Sequence, residues 1–187
     1  MARREHVSET PATRLLRAHK VEFTEHVYEY VEHGGANHSA EVLGMDPYAV
    51  VKTLVMQDER AQPLLVLMHG NRKVSTRNLA RQIGVKSVDP CQPDVANRHS
   101  GYLVGGTSPF ATRRTMPVYV EQSILALPRI LINGGRRGYL VVTATRTEVR
   151  ADWRYVTSIA SRTFSSSVGK SLRSLPGAGN RKLLPVA

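Results

Sequence analysis

The chain has a single cysteine and no long apolar run, and each of these shortages excludes a class of protein. Cys91 is the single cysteine among 187 residues, so an internal disulfide and a multi-cysteine metal site are both excluded. No run of 18 apolar residues occurs, and the first ten residues are polar. We therefore expect no membrane span and no signal peptide, and we expect a cytoplasmic location.

Acidic residues are outnumbered by basic ones. The chain has 26 Lys and Arg against 15 Asp and Glu, which gives a net charge of +11. This excess favours a polyanionic partner such as nucleic acid. Residues 161–187 are basic, contain no acid and are rich in Ser, Gly and Pro, so we expect a disordered tail there. We therefore divide the chain into a domain at 1–160 and a tail at 161–187.

One charged residue, Lys52, interrupts the run from Val50 to Met56, which is otherwise built to be buried. Alternate residues of a strand point to opposite faces, and here both faces are apolar. Lys52 either extends to water at the rim of the sheet or points its ammonium into a pocket for an anionic or carbonyl-bearing ligand. The second interpretation makes Lys52 a candidate site residue.

Two glycine-rich segments are candidates for the rest of such a pocket. The segment from Ser100 to Phe110 contains Gly101, Gly105, Gly106, Thr107, Ser108 and Pro109. Glycine lets backbone N–H groups converge on a ligand oxygen without an obstructing Cβ. In the segment from Ile130 to Gly138, an apolar strand leads into Asn133, Gly134 and Gly135. Each segment alone is also typical of a plain turn, but together with Lys52 they favour a pocket.

The remaining pattern mixes short helices with hairpins, which predicts an α+β fold with a mixed, strongly curved sheet. Helices are expected from Pro11, capped by Thr10, at 39–43, after Ser75 up to Gly84, and at 147–153. Strands are expected at 23–30, 50–56, 64–68, 130–132 and 139–142. Residues 33–38 are expected to form a loop. No nearby carboxylate or cysteine completes a metal-ligand set with its two histidines, so we expect no metal there. We also expect no other cofactor.

Four motifs stand out between residues 10 and 138. They are Thr10-Pro11-Ala12, Val51-Lys52-Thr53-Leu54, Gly101 to Pro109 and Asn133 to Gly138. In this order and spacing they resemble the YbaK/EbsC family of free-standing editing proteins, which are related to the insertion domain of bacterial prolyl-tRNA synthetase. The resemblance covers residues 10 to 160 of the sequence.

The resemblance implies a barrel-like mixed sheet surrounded by helices and an aminoacyl-tRNA deacylase that removes cysteine from mischarged tRNA(Pro). It places the essential lysine at Lys52 with Thr53 beside it, a pocket tyrosine at Tyr28, and the G-x-x-x-P loop at Gly105 to Pro109. Two positions depart from the family, because Asn133 stands in place of a serine and Leu140 in place of an aspartate. These departures bear on which amino acid is removed.

Three functions remain open at this point. A cysteinyl ester can be attacked by its own thiol, which agrees with the absence of any protein nucleophile that the sequence places near Lys52. An alanyl ester on tRNA(Pro) would instead need water. A non-enzymatic RNA-binding module would use Lys52 only as a phosphate contact, although such contacts are more typical of exposed helices and loops. The expected partners are the 3′ end of tRNA(Pro) and prolyl-tRNA synthetase.

Overall fold

The structure is a computed structural model that describes residues 9–144 and the backbone of the short strands at 153–156, 172–173 and 184–185. Seven strands follow the order β1-β7-β6-β2-β3-β5-β8 in one mixed sheet, and β4 pairs with the far end of β2. The strands are β1 (Phe23–Val27), β2 (Val50–Asp58), β3 (Pro63–His69), β4 (Val88–Pro90), β5 (Val118–Glu121), β6 (Arg129–Arg136), β7 (Tyr139–Ala144), β8 (Trp153–Val156), β9 (Leu172–Arg173) and β10 (Leu184–Pro185).

Within residues 9–144, four short α-helices lie around the sheet: α1 (Pro11–Ala18), α2 (Gly35–Val42), α3 (Thr76–Ile83) and α4 (Pro93–Ser100). A 3-10 helix, Gln122–Ala126, follows β5. The predicted α+β class with a mixed sheet is therefore confirmed. The described strands leave the sheet open between its edges β1 and β8, so the term barrel-like applies only loosely.

Local sequence signals account for the helix ends that were predicted. The Thr10 hydroxyl accepts a hydrogen bond from the Thr13 N–H at 3.1 Å, and the Thr13 hydroxyl accepts one from the Thr10 N–H at 3.0 Å. This reciprocal cap satisfies two N–H groups at the start of α1. Ser75 caps α3 in the same sense, and Gly84 ends it with a φ of +77°. Both helices are confirmed.

The predicted hairpin of β2 and β3 is confirmed, and it lies at the centre of the sheet. Its antiparallel register pairs Val51 with His69 and Lys52 with Met68, and every residue of β3 is buried. Parallel neighbours lie on both sides, β6 beside β2 and β5 beside β3. Helix α1 packs on one face of this hairpin and α3 on the other, which explains the continuous apolar sequence of β3.

Several predicted element bounds differ from the structure; β1, for example, ends at Val27 rather than at residue 30. The segment 33–38 is not a loop throughout, because α2 begins at Gly35, and buried Ala40 anchors it against an apolar cluster. Helix α4 was not predicted, although Pro93 in its first turn and Gly101 in a left-handed C-cap are ordinary helix signals. Residues 147–152 of the last predicted helix lie outside the described residues, and Trp153 begins β8. Apart from β9 and β10, the tail also lies outside them.

Apolar clusters lie on the two faces of the sheet. On one face, Val51, Leu67 and Ile132 pack with α1. On the other face, Met56 and Met68 pack with α3, and Val50, Leu131 and Leu140 pack with α2. Lys52 lies on this second face, between its two clusters. None of the helices among the described residues has both the length and the apolar character needed to cross a membrane.

Candidate active site

The ammonium group of Lys52 is held by backbone carbonyl groups just beyond β3. Nζ donates to the Gly70 carbonyl oxygen at 3.3 Å and also to the Arg72 carbonyl oxygen. Burial lowers the pKa of Lys52, and the nearby charge of Lys73 lowers it further. An ammonium has three N–H donors, so one donor remains for a ligand. Lys52 is thus partly buried, but the carbonyl groups orient its charge.

Strand register places Lys52 and Asn133 on the same side of the sheet. The parallel ladder between β2 and β6 pairs Val50 with Leu131 and Val51 with Ile132, and the recorded pairing ends there. Lys52 and Asn133 are the next residue of each strand, so both follow on the face of Val50 and Leu131. The ladder between β2 and β6 ends at this point, and we call the space beside Lys52 and Asn133 the crevice.

Asn133 connects the second glycine segment with the first. Its Nδ2 donates to the Gly105 carbonyl oxygen at 3.2 Å, and its Oδ1 accepts from the N–H groups of Gly135 at 2.7 Å and Arg136 at 3.1 Å. The register of β6 against β7 shifts between Asn133 and Arg136. The Asn133 amide therefore holds both this bulge and the glycine loop in place.

The first glycine segment forms a tight loop beside Asn133. Gly105 has a φ of +88°, and a Cβ on Gly106 would lie 2.7 Å from the Arg137 nitrogen. The Gly106 N–H donates to the Leu103 carbonyl oxygen at 2.8 Å. In the part of the chain that the structure describes, we find no acceptor for the N–H groups of Gly105, Thr107 and Ser108. These three groups are the loop's candidate donors to a ligand.

Several predicted residues of the two glycine segments also have structural roles. Gly101 ends α4 with a φ of +79°, and the fully buried Ser108 accepts a hydrogen bond from the Phe110 N–H at 3.4 Å. Pro109, between Ser108 and Phe110, is partly buried. A Cβ on Gly134 would lie 2.5 Å from the ring of Tyr139, so this glycine permits close packing of β6 against β7.

Tyr28 lies beside the apolar cluster that underlies the crevice. It packs against the cluster of Val50, Leu131 and Leu140, and its ring meets the ring of His38 edge-on at 6.3 Å. Burial raises the pKa of the Tyr28 hydroxyl, and a hydrogen bond with Ser39 opposes that rise. The predicted pocket tyrosine and Lys52 therefore share one face of the sheet.

Thr53 faces away from Lys52, although the two are adjacent in sequence. It pairs with Leu67, which belongs to the cluster on the α1 face. The Thr53 hydroxyl is buried and has no hydrogen-bond partner among the described residues. The structure thus brings Lys52, Asn133 and Tyr28 to one face and leaves Thr53 on the other.

A serine–histidine contact that the sequence did not indicate lies on the α1 face. His69 Nε2 is 2.8 Å from the Ser123 hydroxyl oxygen, and Ser123 donates to Glu121 at 3.1 Å. His69 Nδ1 lies 2.6 Å from the Tyr48 carbonyl oxygen. Since a carbonyl accepts only, Nδ1 is a donor rather than the partner of a carboxylate. His69 and Ser123 are 54 positions apart in the sequence, and no sequence motif marks them.

Comparison with protein families identifies the family to which the chain belongs. A family model described as an aminoacyl-tRNA editing domain matches residues 34–151, which is more than half of the chain. The chain belongs to this family. The matched range of the editing domain contains Lys52, the glycine loop and Asn133. Editing domains act as deacylases on aminoacyl-tRNA, so the crevice beside Lys52 is the candidate active site.

Individual relatives agree with this family assignment. The Enterococcus faecalis protein described as "Putative Cys-tRNA(Pro)/Cys-tRNA(Cys) deacylase EbsC" is 28% identical over 145 residues, covering 77% of this chain and 88% of the relative. The crystal structure of hypothetical protein APE2540 has a TM-score of 0.66 at 20% identity and covers 73% of this chain and 90% of that one. A "putative trans-editing enzyme for prolyl tRNA synthetase" has a TM-score of 0.61 at 20% identity, with 73% and 88% covered. The two crystal structures establish the shared fold.

Proposed function

We propose that this editing domain acts in trans and removes cysteine from mischarged tRNA(Pro), with Lys52 at its active centre. The observation that carries the proposal is the oriented Lys52 ammonium, which lies on the same face as Asn133 and has one donor left for a ligand. The Enterococcus faecalis relative, 28% identical and described as "Putative Cys-tRNA(Pro)/Cys-tRNA(Cys) deacylase EbsC", supports cysteine as the amino acid. A cytoplasmic location fits this role.

The need for such an activity follows from the size of the amino acids. A synthetase pocket shaped for proline excludes similar or smaller amino acids weakly, because a methylene-scale difference contributes only about 1–3 kcal/mol. A second site that hydrolyses or releases the wrong ester supplies the missing discrimination. Prolyl-tRNA synthetase, which makes the error, is the partner that we propose for the domain.

In the proposed mechanism the protein orients the ester and the substrate supplies the nucleophile. Lys52 donates to the ester region, and the N–H groups of Gly105, Thr107 and Ser108 stabilise the negative charge that develops on the carbonyl oxygen. The cysteinyl sulfur loses its proton and forms a C–S bond to its own carbonyl carbon. The ester C–O bond breaks, the ribose oxygen takes up a proton, and a thiolactone leaves. Tyr28 borders the site that holds the amino acid.

A basic surface provides a path for the tRNA backbone. Five exposed cationic side chains extend from the turn that holds Lys52 along α3 and beyond it. They are Arg72, Lys73, Arg77, Arg81 and Lys86. A single-stranded 3′ end that enters the crevice would leave the adjoining duplex within reach of these charges.

The experiment is a deacylation assay on tRNA(Pro) charged in turn with cysteine, serine, alanine and proline, against an enzyme-free control. We expect cysteinyl-tRNA to be cleared much faster than seryl-tRNA, since serine is similar in size but far less nucleophilic. Mass spectrometry should detect the thiolactone at early times. Cys91→Ser is the matched control, because Cys91 contacts Gln57 at the far end of β2, and it should leave the rate unchanged.

Two outcomes would replace the proposal. Comparable clearance of alanyl and seryl esters, with free amino acid as the first product, would establish water as the nucleophile and a hydrolase. Binding of tRNA without loss of any ester would establish an RNA-binding module.

A further inference from the structure

A series of hydrogen-bonded polar side chains joins the end of β3 to the end of β5. His69 and Glu121 are 1% and 3% exposed, and Ser123 bridges them. The His69 ring also stacks on the ring of Tyr48, with centroids 3.7 Å apart and an angle of 11° between the planes. Nothing in the proposed chemistry uses these groups, and they do not face the crevice.

The hydrogen bonds join His69, Ser123 and Glu121 into one unit. The His69 Nδ1–H donates to the Tyr48 carbonyl oxygen, since a carbonyl only accepts. Ser123 donates to Glu121 at 3.1 Å, and its hydroxyl oxygen lies 2.8 Å from His69 Nε2. Removing Ser123 therefore breaks both contacts of a coupled polar network.

This hydrogen-bonded series of side chains adjoins the turn whose carbonyl groups hold Lys52. His69 is the last residue of β3, and the next carbonyls, those of Gly70 and Arg72, accept the Lys52 hydrogen bonds. The turn is also tied by the Gly70 N–H, which donates to the Val50 carbonyl oxygen at 2.6 Å. A Cβ on Gly70 would lie 2.8 Å from both Ala36 and the Pro47 oxygen, so the turn has little room to shift.

We infer that His69, linked to Glu121 by Ser123, is a positioning residue that sets the place of the Lys52 ammonium by anchoring the Gly70–Arg72 turn. Register puts His69 opposite Val51, on the face away from Lys52, so it acts through the backbone and touches no substrate. This inference rests on the proposed role of Lys52.

The test compares Ser123→Ala, His69→Leu and His69→Gln in the same deacylation assay. Ser123→Ala and His69→Leu should lower kcat by about 10- to 100-fold, because a displacement of about 1 Å at a positioned group can cost a factor of that order. KM should change much less. His69→Gln keeps one donor and one acceptor and should recover activity to within about threefold of wild type. Ser87→Ala, at a half-buried serine before β4, is the matched control and should retain full activity.

A double mutant separates this inference from the proposed function. If Ser123 works through Lys52, then Lys52→Ala combined with Ser123→Ala should be no slower than Lys52→Ala alone. Multiplied losses in the double mutant, or full activity of folded Ser123→Ala, would overturn the positioning role while wild-type activity upholds the proposed function. An inactive wild type, or a fully active Lys52→Ala, would overturn the proposed function itself. Should His69→Leu fail to fold, Ser123→Ala and the double mutant still decide the question.

Discussion

Asn133 and Leu140 lie directly opposite each other in the ladder between β6 and β7. They occupy the two positions at which the chain departs from the serine and aspartate of the family that its motifs resemble. Leu140 is 4% exposed within an apolar cluster, where a carboxylate would be costly to bury. Asn133 uses its amide to join the bulge with the glycine loop. The two departures are therefore neighbours in space: Leu140 belongs to the apolar cluster, and the amide of Asn133 beside it links the bulge to the glycine loop.

The first prediction concerns that connection. Asn133→Ala should reduce deacylation by at least about tenfold and lower the free energy of unfolding by about 1–3 kcal/mol, because buried donors and an acceptor lose their partner. Asn133→Asp is the informative comparison. It retains the acceptor for Gly135 and Arg136 but cannot donate to the Gly105 oxygen. Deacylation and urea unfolding of both variants provide the measurements, and full activity of Asn133→Asp would show that the link to Gly105 is dispensable.

The second prediction concerns the space around Gly106. A Cβ there would lie 2.7 Å from the Arg137 nitrogen and 2.8 Å from the Arg136 carbonyl carbon. Backbone atoms cannot move aside as a flexible side chain does, so Gly106→Ala should displace the loop and reduce kcat by at least about tenfold. Gly44→Ala is the control, since its φ is +62° and no atom lies within 4 Å of the added Cβ. It should cost about 1 kcal/mol of stability and leave activity intact. Equal activities of the two variants would contradict the prediction.

The sequence predicted those parts of the fold that local chemistry decides. The caps at Thr10 and Ser75 and the stop at Gly84 depend on residues within one turn of the helix, so a pattern of neighbouring residues suffices. The pairing of β2 with β6, and of β3 with β5, joins segments far apart in the chain. Strand β5 has only four residues, too few for a clear alternation, and it was not predicted.

The candidate site was predicted in its motifs but not in its contacts. Lys52 was prominent because a charge in an apolar strand is unusual. Its partners, the carbonyls of Gly70 and Arg72, have no sequence signature because every residue carries a carbonyl group. Thr53 was named with Lys52 because of the family resemblance, whereas strand alternation turns its side chain to the other face. His69 and Ser123 meet only because the sheet brings β3 beside the segment after β5.

The third prediction concerns stability at high pH. Burial raises the pKa of Tyr102 from 10.0 to about 12, and its hydroxyl donates to the Phe110 oxygen at 2.6 Å. Between pH 10 and 12 the unfolded state loses this proton and the folded state keeps it, so stability falls as the pH rises. Tyr102→Phe should cost about 1 kcal/mol at neutral pH and show a shallower fall above pH 10. Burial also raises the pKa of Tyr139, so Tyr139 should account for the fall in stability that remains in Tyr102→Phe above pH 10.

Urea unfolding of both proteins at a series of pH values provides the measurement. Parallel curves for wild type and Tyr102→Phe above pH 10 would show that the Tyr102 hydroxyl does not titrate differently in the folded and unfolded states.

The last prediction separates the two consequences of placing a lysine inside the sheet. Burial lowers the pKa of Lys52 below 10.5, and the charge of Lys73 adds to this. Between that lowered pKa and 10.5 the unfolded state binds more protons than the folded state, so this residue makes stability rise with pH. Lys52→Ala should remove that rise and keep a melting temperature close to wild type at neutral pH, because a partly buried ammonium contributes little net stability.

The same substitution should abolish most deacylation. Lys52→Ala removes the oriented donor, so we expect a loss of at least about 100-fold in kcat/KM, of the size seen when a donor to a developing oxyanion is removed. Lys52→Arg keeps the charge but not the compact geometry that reaches both carbonyl groups, and it should stay at least about tenfold below wild type. Circular dichroism confirms that each variant is folded. A folded Lys52→Ala with wild-type activity would place the active centre elsewhere. Wild-type activity of Lys52→Arg together with an inactive Lys52→Ala would show that the charge rather than its position is required.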